Sequence, residues 1–201
     1  MGQLADDLAA MVGVWHDHLV AHDVEGRPLA HDPFGGAPGP FPYDNLVYCD
    51  FDGTTWTQTN VAFRGRPLQV RTFEADVADD VLTFRRLGPD APRHVGVSGG
   101  PGLIWFVAES LAEAGLQRYC EPDLIRIDTP PEATGDPARR WRSTVLWRDG
   151  RLVRTLAVEG TRLSGDTSRT HEWDPRGPDA AVHGERSRTQ QYRSTAPEVS
   201  A

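Results

Sequence analysis

The sequence predicts an all-β protein whose short strands form a closed antiparallel barrel. About ten short segments alternate between apolar and polar residues, and turns rich in Gly, Pro and Asp separate them at regular spacing. Such an array, with almost no helical periodicity, is typical of barrels and sandwiches. Large residues mixed with polar ones on the expected inner faces favour the barrel, because they suit a cavity better than a solid core.

The composition fits one globular domain. The chain has 201 residues, of which 38% are hydrophobic and 25% are charged, and this is enough to bury a sizeable core. We assign residues 1–201 to a single domain, with the barrel over 13–173 and an edge strand or tail over 174–201. The formal net charge of -8 argues against a nucleic-acid or anionic-membrane surface. The absence of lysine removes Schiff-base chemistry.

The N-terminal residues predict a cytoplasmic protein. They carry acids instead of the positive charge of a signal peptide, and no apolar stretch is long enough to span a bilayer. In the cytoplasm, Cys49 and Cys120 are expected to be reduced, buried and inert.

A short helix is expected before the first strand. Leu4, Leu8 and Met11 recur at helical spacing, which predicts a helix that forms a lid over one end of the barrel. The following segment, residues 15–24, alternates as a strand does, so Trp15 and Leu19 share one face.

Residues 25–44 form a long loop, because Gly and Pro are too dense there for a strand ladder. Its aromatic residues Phe34, Phe41 and Tyr43 favour a loop that folds onto the mouth of the barrel. Two later turn signals, Asp52-Gly53 and Asp149-Gly150, predict hairpins. The predicted strands after the loop are 45–51, 54–63, 67–77, 81–87, 94–98, 103–110, 117–128, 140–148, 151–163 and 167–173.

Two strands suggest how the interior is lined. Alternation groups Trp141 with Ser143, Val145 and Trp147, and we expect this face to point inward and Arg140, Arg142, Thr144 and Arg148 to point outward. In the same way, Leu103, Trp105 and Val107 are expected to face inward on a strand that ends at Glu109.

The helix followed by Gly13-Val14-Trp15 resembles the opening of the lipocalin (calycin) group, in which Gly-x-Trp begins the first strand of a meander of strands. The array of short strands is similar to that of uncharacterised bacterial lipocalin-like families related to phycobilin lyases. The resemblance implies an up-and-down barrel of about 8–10 strands with a short N-terminal helix. It also implies that a basic residue on the last strand packs on Trp15, and Arg169 is the candidate.

Three histidines, His16, His18 and His22, share the other face of the first strand and raise the question of a metal site. Neighbouring residues on one face lie roughly 7 Å apart, so His16 and His18 could share an ion while His22 is too distant. Because Trp15 is expected to point inward, we interpret the histidines as a solvated outer face and predict no metal site.

The interior residues suggest acid-base chemistry beside an apolar pocket. The candidate catalytic residues are Glu109, Tyr119 and His171, since each can polarise a carbonyl or move a proton. The candidate ligand-binding residues are Tyr48, Trp56, Trp105, Glu121, Trp141, Trp147 and Arg169.

Three functions remain open at this stage. The first is a cofactor-independent cyclase or isomerase of bacterial secondary metabolism, a role that lipocalin-like barrels of polyketide-type pathways make conceivable; such a barrel would hold a small hydrophobic substrate in a reactive conformer. The second is a non-catalytic carrier or sensor of a similar ligand, and the third is a barrel that handles a bilin or haem. The expected partner is a small hydrophobic ligand, with no cofactor, no nucleic acid and no membrane, and a homodimer is possible.

Overall fold

The computed structural model describes residues 2–31, 41–62, 69–85, 94–108, 123–131, 134–148 and 151–167. Within these ranges one α-helix precedes ten strands. The elements are α1 (Gln3–Met11), β1 (Gly13–His22), β2 (Tyr43–Phe51), β3 (Thr55–Ala62), β4 (Gln69–Ala78), β5 (Val81–Phe84), β6 (His94–Gly100), β7 (Leu103–Ala108), β8 (Asp123–Asp128), β9 (Arg139–Arg148) and β10 (Arg151–Ser164).

The ten strands form a closed up-and-down barrel. Each strand pairs antiparallel with the next strand along the chain, and β10 closes the barrel by pairing with β1. This confirms the fold class predicted from the sequence. The strand predicted over 167–173 is not needed for closure, and residues 168–173 lie outside the described ranges.

Helix α1 closes one end of the barrel, as predicted. Leu4, Leu8 and Met11 are fully buried and pack inside the barrel with Trp15 and Trp56. The indole Nε1 of Trp15 donates a hydrogen bond of 2.8 Å to the carbonyl oxygen of Met11, which joins the end of the helix to the first strand. We call this end of the barrel the plugged end, and the opposite end the far end.

A buried carboxylate holds the helix in place. Asp7 Oδ1 accepts hydrogen bonds from the backbone N–H of Gly102 (2.8 Å) and the amide of Gln3 (2.9 Å), and Oδ2 accepts one from the Ser98 hydroxyl (3.1 Å). Gly102 and Ser98 flank the β6–β7 turn, so the helix is hydrogen-bonded to the rim that it covers.

Local side-chain chemistry produces the turns at the plugged end. Asp52 Oδ1 accepts the backbone N–H groups of Thr54 and Thr55 at 2.9 and 2.7 Å, and these bonds hold the pKa of the Asp52 carboxyl below its usual value. In the β4–β5 turn, Asp79 and Asp80 both have positive φ angles, 52° and 61°, as a two-residue hairpin turn requires. Both turns are where the sequence predicted them.

The inward face of β7 is the opposite of the predicted one. Ile104 and Phe106 are buried inside, whereas Trp105 is 47% exposed on the outside. The reason lies on the neighbouring strand: the Phe106 ring covers Gly96, where an added Cβ would lie 2.8 Å from the ring. A glycine opposite this position leaves room inside for a phenylalanine.

The inward face of β9 was also wrongly predicted. Arg140 and Thr144 are buried inside, and Arg142 points the same way, while Trp141 and Trp147 are 39% and 37% exposed on the outside. The tryptophans were expected inside because of their size. Arg140 lies inside instead, because it forms an ion pair with the buried carboxylate of Asp17. The Arg148 side chain lies outside the described part of the structure.

The segment before β2 reaches the far end of the barrel. Phe41 is buried and packs with Leu19, Leu156 and Val158, which line the inside of β1 and β10, and its ring centroid lies 5.6 Å from that of Tyr43. This confirms that the long loop folds onto the barrel mouth at its C-terminal part. Phe34 lies outside the described residues.

The contacts of Asp7 predict that its loss destabilises the fold. Asp7→Ala leaves the part-buried Gly102 N–H without its acceptor and removes the shorter of the two bonds of the Ser98 hydroxyl, which should lower the free energy of unfolding by about 2–3 kcal/mol. Urea denaturation measures this change. The control is Asp6→Ala, the same change at the exposed neighbouring position, which should cost less than about 1 kcal/mol; equal losses would contradict the role of Asp7.

Candidate ligand-binding site

The inner wall of the barrel is apolar near α1, whereas toward the far end polar side chains share it with the apolar cluster of Leu19, Leu156 and Val158 on β1 and β10. The strand register and burial place both amide-bearing and charged side chains on the inward faces there. The inward polar side chains are Asp17, Asn45, Gln58, Asn60, Arg71, His94, Asp123, Arg140, Arg142, Thr144 and Arg154.

A fully buried ion pair crosses the wall of the barrel. Arg140 Nε donates to Asp17 Oδ1 at 3.0 Å and Nη2 donates to Oδ2 at 2.6 Å, and both side chains are completely buried. The pair is bidentate, which is the arrangement that best offsets the cost of removing two charges from water.

A glycine makes this ion pair possible. In the register of the sheet, Gly160 of β10 lies between Asp17 of β1 and Arg140 of β9. A Cβ at Gly160 would collide with Asp17 Oδ1 and lie 2.7 Å from Arg140 Cγ. The arginine therefore reaches its partner only because the strand between them carries no side chain at this position.

Two arginines pack on Trp15, the residue that opens the first strand. The guanidinium carbons of Arg140 and Arg162 lie 4.7 and 5.9 Å from the centroid of the Trp15 ring, within cation–π range. Arg162 belongs to β10, the strand that closes the barrel. Arg162 on the closing strand thus makes the contact with Trp15 that the resemblance implies. Arg169, the candidate for this contact, lies outside the described residues, and its role stays a prediction.

Cys49 lies beside the ion pair and is buried, as predicted. Its sulfur is 3.7 Å from Arg140 Nη1. Burial raises the pKa of the Cys49 thiol and outweighs the opposing effect of the Arg140 charge. Cys49 is therefore a neutral packing residue and no nucleophile.

A second ion pair lies closer to the far end. Arg142 Nε donates to Asp123 Oδ2 at 3.0 Å, and its Nη2 contacts the same oxygen. Arg142 Nη1 also lies 3.9 Å from Asp17 Oδ2, which links the two pairs. Unlike the first pair, this one retains solvent exposure, with 15% of the Arg142 side chain exposed. A ligand inside the barrel can therefore reach it.

Aromatic rings line the interior next to these charges. Phe73 and Phe84 face inward yet are only half-buried, and Phe84 packs edge-on against Phe106 with ring centroids 5.4 Å apart. An inward ring that keeps exposed surface lies on a part of the wall that solvent reaches. This part of the barrel thus offers apolar surface to a ligand.

Arginine exceeds aspartate on the inner wall. Among the described strand residues, the inward charges are the five arginines Arg71, Arg140, Arg142, Arg154 and Arg162 against the two aspartates Asp17 and Asp123. The chain as a whole carries a formal charge of -8. The interior therefore has the opposite sign to the protein, and this sign favours anions.

The predicted site residues that the structure describes do not lie together. Trp56 is inside but fully buried in the core at the plugged end. Trp105, Trp141 and Trp147 face outward, and Tyr48 is buried on the outer face with Val14, Leu46 and Val61. The expectation that the indoles line the cavity is thus wrong for three of four tryptophans. The remaining candidates, Glu109, Tyr119, Glu121 and His171, lie outside the described residues.

The histidines of β1 lie on the outer face, as predicted. His16 Nε2 and His18 Nδ1 each lie 3.0 Å from Asp44 Oδ1 of β2, a carboxylate that sequence reasoning did not connect with them. In the part of the chain that the structure describes, no group of three His, Cys, Asp or Glu side chains is placed to hold a metal ion.

Sequence reasoning missed the ion pairs although one signal was available. Asp17 shares the face of Trp15, so it was already expected to point inward. A buried carboxylate needs a cationic partner, and in a chain without lysine arginine is the side chain that is always charged. Arg140 and Arg142 were candidates by residue type, but their place opposite Asp17 depends on pairing through β10.

The closed antiparallel barrel with one short helix is a lipocalin-like fold. A solved structure with this fold is that of the S-type phycobiliprotein lyase CPES from Guillardia theta. It matches with a TM-score of 0.50 over 78% of this chain and 90% of the lyase chain, at 7% sequence identity. No family model matches the sequence, and no curated protein does. Within the described residues, no helix is long and apolar enough to cross a membrane.

The position of Gly160 predicts that a single added methyl group there strongly lowers the stability of the protein. Gly160→Ala places a Cβ between Asp17 and Arg140 and should separate the buried charges, lowering the free energy of unfolding by about 2–4 kcal/mol. Urea or thermal denaturation measures the loss. Gly165→Ala is the control, since nothing lies within 4 Å of its added Cβ. A Gly160→Ala protein as stable as the control would show that the ion pair tolerates separation.

Proposed function

We propose that this protein binds a small amphipathic anion inside the barrel, at the polar part of the wall near the far end. The observation that carries the proposal is the excess of arginine over aspartate on the inner wall, next to the half-buried rings of Phe73 and Phe84. The apolar body of the ligand packs on these rings, and its acidic group lies toward Arg71 and Arg142. The proposed ligand thus differs from the hydrophobic ligand predicted from the sequence in that it carries an acidic group at one end.

The likeness to a phycobiliprotein lyase supports a ligand held in the barrel. A linear tetrapyrrole fits the proposed class, because it combines a flat conjugated body with carboxylates. The carrier alternative therefore includes tetrapyrroles, and native mass spectrometry of freshly purified protein, looking for a co-purified molecule, tests for them.

The proposed ligand class predicts how two probes differ. Anilinonaphthalenesulfonate, an anion, should bind more tightly than phenylnaphthylamine, which has the same rings without the sulfonate, because only the anion gains from the inward arginines. Fluorescence titration measures both affinities. Raising the salt concentration should weaken binding of the anion only.

Two matched arginine variants test whether the anionic probe binds inside the barrel. Arg71→Gln removes an inward charge near the far end and should weaken binding of the anionic probe about fivefold. Arg126→Gln removes the same charge from the exposed outer face of β8 and should change it less than about twofold. Equal effects would mean that the probe responds to net charge and does not bind inside, which would overturn the proposal.

A catalytic role is the second candidate. We propose a cofactor-independent cyclase or isomerase in which Glu109, Tyr119 and His171 act as acid-base groups. Its support is that Glu109 directly follows Ala108, the end of β7, which lies at the far end of the barrel with Asp123.

Substitution separates the catalyst from the carrier. With the co-purified molecule as substrate, Glu109→Ala or His171→Ala should slow its conversion about 100-fold or more in a cyclase and leave its affinity nearly unchanged. Product formation is followed by NMR. If the wild-type protein binds the molecule and leaves its uncatalysed rate unchanged, the enzyme hypothesis is wrong and the carrier stands.

The homodimer, the cytoplasmic location and the exclusion of nucleic acid stay predictions.

A further inference from the structure

Asn45 carries a buried polar atom that faces the interior of the barrel. It lies on the inward face of β2, which it shares with Val47 and Cys49, and it is 4% exposed. Its Oδ1 is buried and accepts no hydrogen bond within the described structure. A buried amide oxygen without a donor costs free energy, and most such atoms in folded proteins have a partner.

Among the described residues, the neighbours of Asn45 on the sheet do not donate to its Oδ1. On one side it pairs in register with Asp17, whose carboxylate has only acceptor oxygens and binds Arg140. On the other side it pairs with Ala62, which has no polar side-chain atom. Of the nearby amides, Gln58 Nε2 donates to Asn60 Oδ1 at 2.9 Å instead of to Asn45.

The position of Asn45 fits a ligand contact. It is the third residue of β2 counted from the far end, and the inward Arg71 and Arg154 lie toward the same end on β4 and β10. A polar side chain kept without a partner at such a place reduces stability, so a role in binding is the physical reason to retain it.

We infer that Asn45 Oδ1 accepts a hydrogen bond from an N–H or O–H group of the bound ligand. This inference rests on the proposed function and refines it: the ligand carries a donor group on its apolar body in addition to the acidic end. A conjugated amine, an amide or lactam N–H and a phenol belong to this class, and a simple fatty acid does not.

A second pair of probes tests the donor. Anilinonaphthalenesulfonate has one N–H between its rings, and its N-methyl derivative has none while keeping the sulfonate. We expect the N–H probe to bind the wild-type protein about fivefold to tenfold more tightly. Because this comparison needs no variant, it stands even if a substitution disturbs folding, and equal affinities in the wild-type protein overturn the inference.

The N-methyl group also makes the second probe bulkier, and the variant Asn45→Leu separates this effect of size from the loss of the hydrogen bond. In Asn45→Leu the preference for the N–H probe should fall to about onefold, because the acceptor is gone. The ligand-free variant should be at least as stable as the wild type in urea, since an apolar side chain replaces an unsatisfied amide. A preference that persists in Asn45→Leu overturns the inference.

The outcomes distinguish the inference from the proposed function. If both sulfonates bind equally well and Arg71→Gln weakens both, the anion site stands and the role of Asn45 is wrong. If neither sulfonate binds, the proposed function fails, and the inference with it.

Discussion

The buried pair of Arg140 and Asp17 is the interaction on which the structure depends. Two charges without exposed surface are tolerated only when their geometry is good, and here a bidentate contact, the Trp15 ring and the gap at Gly160 provide it. The pair joins β9 to β1 across β10, so it holds together the strands at which the barrel closes. Closure of the barrel therefore requires that these two charges are buried together.

The interior is divided between an end filled by the helix and an end with charged, partly exposed side chains. At the plugged end, the apolar side of α1 packs on Trp15 and Trp56 and fills the barrel with its own side chains. Toward the far end, the wall carries the partly exposed pair of Arg142 and Asp123, and the half-buried ring of Phe84 lies at the border of the apolar cluster, packed against Phe106. This division suits a ligand that is apolar along most of its length and polar at defined points. Polar groups on such a wall are costly in the empty barrel, and binding gives the physical reason to keep them.

The likeness to a phycobiliprotein lyase at 7% identity shows what a barrel fold requires and what it leaves free. The likeness of the fold persists at that identity, because a fold of this kind depends on alternation and turns that many sequences satisfy. The residues that line the interior are not transferable at this distance. The site proposed here therefore stands on the side chains of this chain alone, above all its inward arginines and Asn45.

Local chemistry made the strand array, the helix and most turns predictable from the sequence. Apolar spacing in α1, the Asp52-Gly53 turn and the Asp79-Asp80 turn each act within a few residues, so no distant partner was needed to predict them. The inward faces of β7 and β9 were predicted wrongly, because an alternation of period two looks the same when the faces are exchanged. Only partners on other strands decide between the faces: Gly96 makes room for Phe106, and Asp17 draws Arg140 inside past Gly160. These contacts join residues far apart in the chain, and the tertiary structure alone brings them together.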